Sequence, residues 1–199
     1  MFGKKPQTAQ KSGLFSGISD ARTSVREPYF PPGIEAKVEV VEVDCYESRD
    51  PKHKGSHFFK VRARIDEVRY DAASPPETPI RNGMTCVQII NLAHGEPALA
   101  DVKMFCTAVY RSMAISQGTK PEEVGGIDER AVEALLDPSQ PGAGVKIGLR
   151  TIPKTTKAGG AYTLHVYDDS EAFRFSFDQI VKNAPVAPVA PVAPVTDDA

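Results

Sequence analysis

Three observations predict a β-rich α+β domain. Runs of alternating apolar and polar residues fill the first half of the chain. One stretch with apolar residues three and four apart interrupts them, and a second pair of alternating runs follows it. The chain has 199 residues, which suits one domain with tails. Residues 1–28 read as a flexible polar leader, residues 29–180 as the folded domain and residues 181–199 as a disordered Pro-rich tail.

The pair Tyr29-Phe30 followed by Pro31-Pro32-Gly33 marks a rigid turn where the domain starts. Residues 35–44 read as the first strand. Val38 and Val40 share one face while Val41 and Val43 share the other, so a bulge near Val40-Val41 would turn all four inward. A charged loop over residues 46–56 then turns at Lys54-Gly55, the signature of a hairpin with a long tip. The second strand, residues 57–70, has the cleanest pattern. Phe59, Val61, Ala63 and Ile65 alternate on a core face, and Phe58, Lys60, Arg62 and Arg64 on a surface face. Prolines and Asn82-Gly83 make residues 71–83 a loop, and residues 84–91 form a third strand that is apolar on both faces.

A helix is expected over residues 97–113, with Pro97 in its first turn, and a shorter one over residues 128–136 with Asp128 as N-cap. The last hairpin takes residues 145–152 and 162–167. Val145, Ile147, Leu149, Tyr162, Leu164 and Val166 are expected inside, and Lys146, Arg150, His165 and Tyr167 outside. Phe173, Phe175 and Phe177 alternate in a segment, residues 173–180, that reads equally as a closing strand or the start of a helix. Hairpin, strand, helices, hairpin is the order of an OB-fold. The expected architecture is therefore an OB-fold-like five-stranded barrel with a helical insertion after strand three.

Composition and motifs narrow the function. Lys and Arg number 24 against 26 Asp and Glu, so a nucleic-acid partner would have to be met by a local basic patch. Glycine-rich phosphate loops, a nucleophile elbow and a His-Glu-x-x-His motif are all missing, which predicts a protein that is not an enzyme and carries no cofactor. Cys45, Cys86 and Cys106 lack Cys-x-x-Cys spacing. Cys86 and Cys106 read as buried thiols, and His53 and His57 near Cys45 lack a fourth ligand, so no metal is expected. No apolar run is long enough to cross a bilayer, and Met1-Phe2-Gly3-Lys4-Lys5 lacks a signal-peptide core, so a cytoplasmic protein without a membrane partner is expected.

In an OB-fold the ligand groove lies on the outer face of strands two and three, between the first and last hairpin loops. That surface gathers Phe58, Lys60, Arg62 and Arg64 from the second strand. Arg49, Lys52 and Lys54 come from the first loop, and Lys146, Arg150, Lys154, Lys157 and Tyr167 from the last hairpin. Cations track phosphates and aromatics offer faces to bases, which is the chemistry of single-strand binding. A solvated strand face with ordinary loop lysines would carry the same residues.

Leu14-Phe15-Ser16-Gly17-Ile18, Tyr29-Phe30-Pro31-Pro32-Gly33 and Gly55-Ser56-His57-Phe58-Phe59-Lys60-Val61 resemble the opening of bacteriophage single-stranded-DNA-binding proteins. Gly144-Val145-Lys146-Ile147-Gly148 and Lys154-Thr155-Thr156-Lys157-Ala158-Gly159-Gly160 resemble their last hairpin, and the likeness covers roughly residues 14–167. The resemblance implies a non-catalytic protein that coats single-stranded DNA in phage replication or recombination, inside the infected host cell. It also implies a tail that meets other replication or recombination proteins. Here four Ala-Pro-Val repeats lead to Thr196-Asp197-Asp198-Ala199, whereas the bacterial counterpart ends in an acidic run capped by Pro-Phe. The alternative is a β-rich phage structural or assembly module acting through protein–protein contacts.

Overall fold

The computed structural model describes residues 27–70, 75–77 and 79–177. The expectations for residues 1–26 and for the Ala-Pro-Val tail lie outside the described residues, as do residues 178–180. Five strands, β1 (Ile34–Glu47), β2 (His57–Tyr70), β3 (Thr85–Asn91), β4 (Lys146–Thr155) and β5 (Ala161–Asp168), form one antiparallel sheet in the order β3-β2-β1-β4-β5. Helices α1 (Glu96–Ser116) and α2 (Glu129–Leu135) lie between β3 and β4. The sheet is not closed, because β3 and β5 are its two edges. Among the described residues no helix is long and apolar enough to cross a membrane.

β1 is central and bulged. Val40 faces Ala63 and Glu42 faces Arg62, which leaves Val41 as the extra residue. The bulge brings Val38, Val40 and Val43 onto the buried face, while Val41 stays half-buried. Phe59, Val61, Ala63 and Ile65 of β2 are all buried, as the alternation predicts. Past the bulge β4 no longer reaches β1. The Gln140 side chain takes its place, accepting from Val43 N–H at 2.8 Å and donating to Val43 C=O at 3.0 Å. Gln140 holds a left-handed backbone, φ +50°, to do so.

The open side of the sheet is filled by α1. Its apolar stripe, Ala98, Val102, Phe105, Cys106 and Val109, is buried. Phe105 meets Phe59 and Tyr167 edge-on, at centroid distances of 5.9 and 5.3 Å. The helix ends at Gly118, whose φ of +76° lets Thr119 N–H reach back to Ala114 C=O. Asp128 caps α2 by accepting from Ala131 N–H at 3.0 Å, as its position predicts.

The inside–outside assignment of β5 is the reverse of the expected one. Tyr167 is buried and donates to Gln88, His165 is largely covered, and Tyr162 is half-exposed. Register sets this, because Leu149 lies opposite Tyr167 and paired residues share a face. Tyr167 is therefore part of the core and not of an outer groove.

Residues 169–177 form neither strand nor helix but an irregular strap over the outer face of β1, β2 and β4. Phe173 is buried over Gly148, Phe175 sits under the Arg69 guanidinium at 4.1 Å, and Arg69 donates to Phe177 C=O. Buried Glu35 anchors the end, accepting from Ser176 N–H at 2.6 Å, Phe177 N–H at 3.0 Å and the Ser176 hydroxyl. Burial alone would raise the Glu35 carboxyl, but these donors and Arg150 hold it below the usual carboxylate range.

A methyl group on Gly148 would overlap Cβ and Cγ of Phe173. Gly148→Ala is expected to destabilise the protein by about 1–3 kcal/mol through overpacking, and Phe173→Ala by about 3–5 kcal/mol through lost burial. Urea unfolding of the double variant should give less than the sum, because the methyl then enters the space left by the ring. Strict additivity would show that the strap does not pack on Gly148.

Candidate nucleic-acid interface

The outer face of β2 carries Phe58, Lys60, Arg62 and Arg64 in line, as the alternation predicts. The three cations are not free. Antiparallel pairing sets Glu39 opposite Arg64, Glu42 opposite Arg62 and Asp44 opposite Lys60. Arg62 donates to Glu27 and, at 2.9 Å, to Glu42, while Arg64 reaches Glu39 at 2.7 Å and Lys60 lies 3.9 Å from Glu42. The hydrogen bonds from Arg62 hold Glu27 below its ordinary carboxylate range, and those same bonds raise Arg62. In the last hairpin, Lys146 pairs with Asp66 at 2.7 Å and Arg150 bridges Glu35 and Asp168. Five of the expected binding cations are thus held by carboxylates.

The others stand at the hairpin tips. Arg49, Lys52 and Lys54 are exposed in the β1–β2 loop, where Asp50 caps a short turn over Pro51–His53. Lys154 and Lys157 are exposed at the β4–β5 tip. Among the described residues none of these five is in an ion pair.

Aromatic side chains run between the tips. Phe58 stacks on Tyr46, with centroids 5.8 Å apart and planes 21° apart, and meets the His53 ring edge-on at 6.1 Å. Burial raises the Tyr46 phenol, and the nearby Tyr29 adds to the shift. Tyr29 in turn borders a cleft of about 510 Å³ at the open seam between β3 and β5. That cleft is lined by Asn91, the strand neighbour of Phe58, and by Tyr162, which lies opposite Lys154.

Tyr29, Tyr46 and Tyr162 were missed by sequence reasoning. Tyr46 is the β1 partner of Phe58, a relation visible only once the register is known. Tyr29 reaches the edge of β3 through a parallel bridge to Val87, which no local pattern announces. Cys86 and Cys106 are buried as expected, and burial raises their thiols to about 11 and about 12, well away from thiolate chemistry. Among the described residues no cluster of His, Cys, Asp and Glu could hold a metal. No protein-family model matches the chain, and no curated protein matches it in sequence.

Two predictions come from these environments. Arg62→Ala strands Glu27 and leaves Glu42 only Lys60 at 3.9 Å, so it should lower stability by about 1–2 kcal/mol in urea unfolding. It should change the salt slope of any nucleic-acid binding less than removal of a hairpin-tip lysine does, because a phosphate reaches Arg62 only by displacing Glu27 and Glu42. Burial lowers His165 to about 4, whereas an unfolded histidine titrates near 6.5. Between those values the unfolded chain holds the extra proton, so this contribution is complete above about pH 6.5 and lost as pH falls toward 4. His165→Gln should flatten unfolding free energy against pH in that window by an amount on the order of 2–3 kcal/mol. An unchanged profile would mean that the imidazole is solvated.

Proposed function

We propose that this chain is a non-catalytic single-stranded-DNA-binding protein. The observation that carries the reading is the set of aromatics His53, Tyr46, Tyr29 and Tyr162, all exposed, with half-buried Phe58 among them, and hairpin-tip cations that among the described residues are in no ion pair. Rings offer sequence-tolerant stacking faces and hairpin-tip cations follow the phosphates. The strand order, with the helix after β3, is that of an OB-fold barrel opened between its third and fifth strands, and α1 plugs the opening. The competing reading, a β-rich assembly module, calls for apolar residues on the outer face of β2, where this chain has Lys60, Arg62 and Arg64. On the resemblance of its motifs, the protein coats single strands in phage replication or recombination.

Fluorescence anisotropy with labelled poly-dT, duplex DNA and RNA across a salt series tests the proposal. Poly-dT should be favoured over duplex, with a log–log salt slope of roughly −0.7 per phosphate contact. Lys154→Ala with Lys157→Ala should weaken binding and flatten the slope by about 1–1.5. Phe58→Ala should weaken binding by about 1–3 kcal/mol at unchanged slope. No binding to poly-dT at low salt would overturn the reading.

A further inference from the structure

A groove of about 500 Å³ opens between α1, α2 and the hairpin end of β1 and β2. That volume is within the roughly 300–1,000 Å³ of ordinary binding clefts. Buried Phe59 and Val102 lie at its base, and Leu92, Val132 and Leu136 line it while only partly buried. Leu99, one turn before Val102 on α1, also lines it and is 59% exposed, the most exposed large aliphatic side chain among the described residues. Apolar surface of this kind is left open to water unless another segment covers it. The charged lining is one cation, Lys103, against three carboxylates, Asp128, Glu129 and Glu133, all of them exposed. A segment that fits the groove is therefore apolar in part and basic around that part.

The two chain ends outside the described residues differ in this chemistry. Residues 178–199 carry Asp178, Asp197 and Asp198 against one cation, Lys182, which repeats the charge sign of the groove. Residues 1–26 carry Lys4, Lys5, Lys11, Arg22 and Arg26 against one acid, Asp20. Within them Leu14, Phe15 and Ile18 place three large apolar side chains in five positions. The point of departure also suits this end. Glu27 bonds to Arg62 of β2, and Pro28 C=O accepts from Val87 N–H at 2.9 Å on the edge of the sheet. Arg62 is three positions from Phe59, about 10 Å along the strand. From Ile18 to Glu27 the chain extends up to about 30 Å, enough to round that edge onto the α1 side.

We propose that Leu14, Phe15 and Ile18 dock in the groove between α1 and α2 of their own chain. The leader's lysines and arginines then lie beside Asp128, Glu129 and Glu133. This docking does not rest on the single-strand reading, and no nucleic acid enters its test.

The groove carries its own probe. Cys45 lines it and is exposed, whereas Cys86 and Cys106 are buried. Alkylation of the full chain by N-ethylmaleimide, followed by mass spectrometry of the three cysteine peptides, reads the docking. A docked leader shields Cys45, so the thiol reacts only in the undocked fraction. Leu14→Ser with Phe15→Ser should raise the Cys45 rate about tenfold, the change expected when docking is populated about nine-tenths of the time. Lys4→Gln, Lys5→Gln and Lys11→Gln together should raise it by less. Loss of positive charge alone would slow a thiolate reaction, so a rise reports lost docking. Protection of Cys86 and Cys106 shows that each variant stays folded. The wild-type rate should not depend on protein concentration. An unchanged Cys45 rate in either leader variant would overturn the docking. So would a wild-type rate that rises on dilution, which would seat a second copy's segment in the groove. A rise on deletion of residues 184–199, with none in the leader variants, would seat the tail there and overturn it too. If the serine variant fails to fold, the glutamine variant and the dilution series decide.

Discussion

The register between β1 and β2 is the constraint from which the rest follows. In an antiparallel pair, residues opposite each other share a face, so fixing one pair fixes the company of every other. The Val41 bulge shifts that register by one residue midway. It sends Val40 and Val43 to the same side and sets Glu42 against Arg62 and Asp44 against Lys60. A strand without the bulge would bury one set of valines and expose the other. The Val41 bulge, together with a second register shift at Lys37/Val38 that leaves Asp66 unpaired, therefore decides what fills the core and which charges meet on the surface.

The sequence revealed β2 from Phe58 to Ile65, because its period is unbroken there and its two faces differ sharply in polarity; beyond Asp66, an extra residue opposite Lys37 and Val38, the buried face moves to Val68 and Tyr70. The valines of β1 and the need for a bulge were legible for the same reason. The acids of β1 were equally visible as residues, but their partners depend on where the bulge falls, and that is a property of the pair. β5 misled because both of its parities hold large side chains: Tyr162, Leu164 and Val166 on one, His165 and Tyr167 on the other. Apolar content favours the first. The fold chooses the second, because Tyr167 finds Phe105 and Gln88 inside, and burying its phenol requires such a partner. Phe173 and its neighbours satisfied two local patterns and adopted neither, because Gly148 and Glu35, far away in sequence, offered them a docking place.

The open seam and the strap are two answers to the same problem. Each face of a single sheet needs cover. The inner face is covered by α1, which enters where β3 and β5 do not meet. The outer face near β4 is covered by the strap, held by one buried carboxylate rather than by strand pairing. Because α1 fills the opening without bonding to either edge along its whole length, space remains beside Tyr29 and Tyr162. The cleft is a consequence of covering a sheet without closing it.

Charge placement then separates the ion-paired cations of the sheet from the exposed cations of the hairpin tips. A phosphate approaching Arg62 would have to displace Glu42 and Glu27, exchanging one set of charge-assisted hydrogen bonds for another. That exchange gains little, because the carboxylates left behind stay beside the strand and repel it. Among the described residues, a lysine at a hairpin tip has no ion pair to break. Screening over about 8–10 Å confines each charge to its own neighbourhood, so the acids of β1 do not cancel the tips. The ion-paired stripe of β2 thus acts as a stiff, nearly neutral floor. In the proposed function, affinity would come from its ends, where among the described residues no carboxylate holds the cations, and from the aromatics near them.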